Sequence, residues 1–68
     1  MEDDNLHSPH RRLIELRIDH ADLDNLIDRT MTEPTLDELS LRRLKKRRLL
    51  LRDLIAHLEA ELDPPEPA

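Results

Sequence analysis

The stretch Thr30-Met31-Thr32-Glu33-Pro34 interrupts an otherwise regular apolar rhythm, and this break limits the chain to two long elements. Before it, Leu13, Leu16, His20, Leu23 and Ile27 recur at alternating spacings of 3 and 4, the stripe of one amphipathic helix. After it, Leu41, Leu44, Arg48, Leu51, Ile55, Leu58 and Leu62 repeat the same spacing. Two threonines and a proline end the first helix, because the residue before a proline is steered out of the α region. Ser8-Pro9 supplies its start, a serine N-cap followed by a proline at the first helical position. Thr35-Leu36-Asp37-Glu38 has the form of a capping box with Thr35 as N-cap, and Pro64-Pro65 stops the second helix. The expected organisation is an acidic flexible tail over 1–8, helices near 9–30 and 36–62, and a proline-rich tail over 63–68.

A connection of about five residues favours antiparallel neighbours. Folding the chain there sets Ile27 opposite Leu41, Leu23 opposite Leu44, His20 opposite Arg48, Leu16 opposite Leu51 and Leu13 opposite Ile55. The paired numbers sum to 67 or 68 throughout. The polar position of each stripe thus falls opposite the other, an agreement that unrelated helices have no reason to show. The fold class is therefore all-α, an antiparallel, coiled-coil-like two-helix hairpin. Ile14 is level with Leu54 and Ile18 with Leu50, which predicts a second apolar layer beside the seam at the open end. Burying a Leu or Ile is worth roughly 1.5–3 kcal/mol, so Ile14, Ile18, Leu50 and Leu54 are the expected oligomer interface. Two hairpins closing into a helical bundle are the simplest solution.

Composition narrows the chemistry. The 68 residues include no Cys, Gly, Phe, Tyr or Trp, and 40% are charged. Disulfides and thiolate metal sites are excluded, and the core must be built from Leu and Ile. No apolar run approaches the ~20 residues of a membrane span. The opening Met1-Glu2-Asp3-Asp4 is the opposite of a basic secretory leader, so a reducing cytoplasm is expected. No Ser-His-acid set, phosphate loop or carboxylate pair stands out, and two helices enclose no ligand-sized cavity. The expectation is a protein that is not an enzyme, with no cofactor, no metal, no small-molecule substrate and no membrane partner.

The first helix carries HADLDNLIDR, with His20, Leu23, Asp24, Ile27 and Arg29. The second carries KKRRLLLRDLI, with Lys45, Lys46, Leu49, Leu51, Arg52, Asp53 and Ile55. Over about residues 13–58 this pattern resembles the YdcH-like family of short bacterial helical hairpins. The resemblance implies a hairpin fold and supplies no known activity.

Three groups of polar residues are candidates for function. His20 and Arg48 form a polar pair in the seam, read as a register element in which neutral His20 accepts a hydrogen bond from Arg48 while Asp24 offsets the charge. Arg42, Arg43, Lys45, Lys46, Arg47 and Arg52 form with Arg48 a basic run without an acid, although the net charge is −5. Such a run neutralises phosphates, but Asp19, Asp22, Asp24 and Asp28 face it along the first helix, and Asp22 is level with Lys46. A solvated face, or one paired within the hairpin or across a dimer, is therefore expected, with a partner or nucleic-acid surface as the second reading. His7 and His10 have the spacing of two metal ligands, but no further ligand lies near them. The sequence thus points to a small interaction module that homo-oligomerises and docks other proteins. The alternative is a nucleic-acid-associated protein acting through residues 42–52.

Overall fold

The computed structural model describes residues 8–63 and contains two helices, α1 over Pro9–Met31 and α2 over Glu38–Leu62, packed against each other. At a rise of 1.5 Å per residue they are each about 35–38 Å long. The expected tails, and His7, lie outside the described residues apart from Ser8 and Asp63.

Local chemistry sets the helix ends. Ser8 is the N-cap of α1, its Oγ accepting from the backbone N–H of Arg11 at 3.1 Å, and Pro9 follows in the first turn. At the other end the chain has no glycine to enter the left-handed region, and no described residue has a positive φ. Backbone N–H groups satisfy the last carbonyls instead, Thr32 donating to Arg29 at 3.1 Å and Glu33 to Thr30 at 3.3 Å, and two threonine hydroxyls bond back into the final turns. Thr30 Oγ1 donates to the carbonyl of Leu26 and Thr32 Oγ1 to that of Arg29, both at 2.8 Å.

The start of α2 corrects the expected capping box. The N-cap is Asp37, not Thr35, and the helix begins at Glu38. Both Leu39 N–H and Ser40 N–H donate to Asp37 Oδ1 at 3.1 Å, and Ser40 Oγ donates to Oδ2 at 2.9 Å. One carboxylate thus takes three donors, more than a threonine hydroxyl can accept, and aspartate outranks threonine at this position. These bonds, the backbone donor of Ser40 foremost, hold the Asp37 carboxyl below its usual range. Leu36 and Leu41 then occupy the two positions of a hydrophobic staple and line one shallow groove.

The seam is the one the 3-4 spacing predicts. Leu13, Leu16, Leu23, Ile27 and Leu41 are buried, and Ile27 is the most enclosed at 1% exposure. Leu23, Ile27 and Leu41 form the central cluster, with Leu44 and Leu51 packed against it. Along α2 only Leu41 is buried; Leu44, Leu51, Ile55, Leu58 and Leu62 keep more of their surface. One helix covers α1, but α1 does not cover α2.

Candidate interaction surface

Each helix can be written in heptads abcdefg with the seam at a and d, Leu13, His20 and Ile27 standing at a in α1 and Leu41, Arg48, Ile55 and Leu62 at a in α2. In an antiparallel pair the two e positions then meet along one flank and the two g positions along the other.

The e flank is polar and tied across. Arg17 donates to Glu59 Oε2 at 2.6 Å, joining the two e positions at the open end. Nearer the turn, Arg48 leans out of the seam and donates to Asp24 Oδ1 at 2.6 Å. This corrects the expected His20–Arg48 hydrogen bond. Arg48 is bound to Asp24, and His20 Nε2 is buried without a partner among the described residues. A carboxylate is the stronger acceptor for a guanidinium, and Asp24 lies one turn beyond His20 on the same helix.

The g flank is apolar and open. Leu23 and Leu26 of α1 and Leu44 and Leu51 of α2 line a groove whose rim carries Asp19, Asp22 and Arg47. Leu54, also at a g position, and Leu50, one turn before it, extend this surface along α2 and stand half exposed. The partial exposure of Leu44 and Leu51 has its cause here, because these two d positions line the groove.

The chain matches the model of the family described as "Protein of unknown function (DUF465)" over residues 13–59. It belongs to the DUF465 family. No curated protein and no solved structure matches it. The DUF465 match runs from the first seam leucine to Glu59, so it contains both cross-helix ion pairs, the open groove and the whole basic run.

Within this DUF465 hairpin the candidate residues fall differently from expectation. Ile14, Ile18, Leu50 and Leu54 are all more than half exposed, but they do not make one layer. Ile14 and Ile18 stand at b and f, on the outer arc of α1, whereas Leu50 and Leu54 stand at c and g, on the open flank of α2. The sequence numbers that made them level give height along the hairpin and not direction around it. Level positions do not pair the basic run within one hairpin either. Asp22 and Lys46 are level, but they occupy c and f and point apart. Of the seven cations only Arg48 makes an ion pair among the described residues. Arg42, Arg43, Lys45, Lys46, Arg47 and Arg52 are exposed, and the other close contacts between basic and acidic side chains are Arg17 with Glu59, Arg11 and Arg12 with Glu15, and His57 with Glu61.

Sequence reasoning missed Leu26, which lies off the 3-4 stripe yet lines the groove. Its g position beside the seam was the available signal. Among the described residues no group of three or more His, Asp or Glu is placed to hold a metal ion, and no helix is long and apolar enough to cross a membrane.

Proposed function

We propose that this protein is a non-enzymatic interaction module, a hairpin of the YdcH-like kind that self-associates and so completes the cover of α2. The carrying observation is the open flank, where Leu26, Leu50 and Leu54 are exposed beside the half-buried Leu44 and Leu51. At roughly 1.5–3 kcal/mol per fully buried leucine, covering this surface would add substantially to the stability of the fold. Light scattering at tens of micromolar tests the reading. The unmodified chain should have a mass above that of the monomer, and Leu50→Glu with Leu54→Glu should give monomers of lower helicity. A well-folded monomer at that concentration refutes self-association.

A second reading, polyanion binding through α2, is favoured by the six exposed cations that pair with no acid among the described residues. The absence of aromatic side chains removes base stacking, so recognition would rest on phosphate contacts and fall steeply with salt. Titration against mixed RNA and DNA at about 150 mM salt tests it. Saturable micromolar binding that disappears with Lys45→Glu and Lys46→Glu supports it; its absence leaves the strip as a solvated face.

A further inference from the structure

We propose that the open flank takes a second copy of this chain in one arrangement, with α1 of each hairpin lying antiparallel over α2 of the other. The inference rests on the self-association reading and adds its geometry. Along this flank the two edges carry opposite charge. The α1 edge presents Asp19 and Asp22, and the α2 edge presents Arg43 and Arg47. The hairpin register puts them at the same height, since Asp19 with Arg47 and Asp22 with Arg43 both fall close to the constant sum of the seam. Within one hairpin no ion pair joins them, and Asp19, Asp22 and Arg47 line the groove with Leu23, Leu26, Leu44 and Leu51.

A two-fold axis parallel to the helices keeps every residue at its height and exchanges the two sides. The acidic edge of each α1 then lies on the basic edge of the other copy's α2, twice over by symmetry. Leu50 and Leu54 fall on either side of the height of Leu16 of the second copy, and the four leucines of each groove face those of the other. A two-fold axis across the helices would stack α1 on α1 and α2 on α2. That sets aspartates against aspartates and arginines against arginines, and like charges juxtaposed at an interface are strongly disfavoured. The e flank offers no competing surface, being polar and bridged by Arg17–Glu59 and Arg48–Asp24.

Charge reversal by halves tests this. Asp19→Lys with Asp22→Lys in one chain, and Arg43→Glu with Arg47→Glu in another, should each raise the dissociation constant of the self-associated form about tenfold or more. Mixed in equal amounts, the two variants should form a heterodimer about as tight as the unmodified pair. Any repulsion created inside each hairpin survives mixing, so rescue reports contacts between chains. An unmodified chain that associates while the mixture shows no rescue overturns this arrangement and leaves self-association standing; an unmodified chain that is monomeric removes both. If far-UV circular dichroism shows that a reversed chain fails to fold, single cysteines decide the question in a chain that has none of its own. Asp22→Cys mixed with Arg43→Cys should oxidise mainly to the mixed disulfide. Preferential disulfides between two Asp22→Cys chains would establish the crossed axis and overturn the proposal.

Discussion

Ile27 and Ile18 are the same residue type on the same helix, nine positions apart, and at about 100° per residue they point in opposite directions. Ile27 is 1% exposed and Ile18 is 55% exposed. Replacing Ile27 by alanine removes three buried carbons, about 2.4 kcal/mol at ~0.8 kcal/mol per methylene. The cavity left beside Leu23 and Leu41 adds to this, and buried Ile→Ala changes span about 2–5 kcal/mol. We expect a loss of about 3–4 kcal/mol, most of what a core of this size supplies. At Ile18 the transfer loss is roughly 1 kcal/mol, offset by several tenths because alanine is the better helix former. Urea unfolding followed by far-UV circular dichroism measures both, at one protein concentration, because association would make stability depend on it. Ile27→Ala should be largely unfolded without denaturant, and Ile18→Ala close to the unmodified chain. Equal losses at the two positions would refute the assigned seam and with it the hairpin register.

Two further substitutions probe the polar chemistry. The Asp37 carboxyl titrates below its usual range because donors from Ser40 and Leu39 stabilise its charged form. Its contribution is therefore present above the ordinary aspartate pKa and lost as pH falls through the depressed one. Asp37→Asn should flatten that part of the acid limb of thermal stability, while Thr35→Ala should leave the melting temperature unchanged; the reverse result would restore Thr35 as the cap. His20→Leu should raise stability by about 1 kcal/mol, since it removes a buried nitrogen that lacks a partner, whereas Asp24→Ala should lower it by a similar amount by leaving half-buried Arg48 without its acceptor. A loss of stability in His20→Leu would mean that Arg48 depends on His20 after all.

The parts of the hairpin legible in the sequence are those in which one dimension suffices. The 3-4 rhythm reports which residues of each helix touch the other, and the constant sum of facing numbers reports their height. Leu13, Leu16, Leu23, Ile27 and Leu41 were readable for that reason. Direction around a helix needs the heptad position as well. Without it, Ile14 and Leu54 looked like neighbours and Asp22 and Lys46 like an ion pair, although the heptad positions of each pair, b with g and c with f, do not face each other. The caps failed differently. Thr35-x-x-Glu38 and Asp37-x-x-Ser40 are overlapping start signals, and only the number of donors that each side chain can accept separates them. The partner of Arg48 was a choice between an imidazole and a carboxylate one turn apart, and spacing cannot make that choice.

The two readings of function draw on overlapping residues, and this couples them. Arg43 and Arg47 are claimed by the acidic edge of a second copy and by any polyanion on α2. Arg42, Lys45, Lys46 and Arg52 stand off the open flank and are claimed only by the polyanion. Where both events occur they oppose each other, since a ligand that binds the free edge better than the covered one shifts the equilibrium towards separate hairpins by its differential affinity. Salt acts unequally on the two. Counterion release weakens phosphate contacts steeply, while the leucine surface of the open flank is held by burial, which salt at physiological strength does not screen. On the self-association reading, the paired hairpin is thus the state that rising ionic strength disfavours least, and the cations off the open flank are the ones it would keep available.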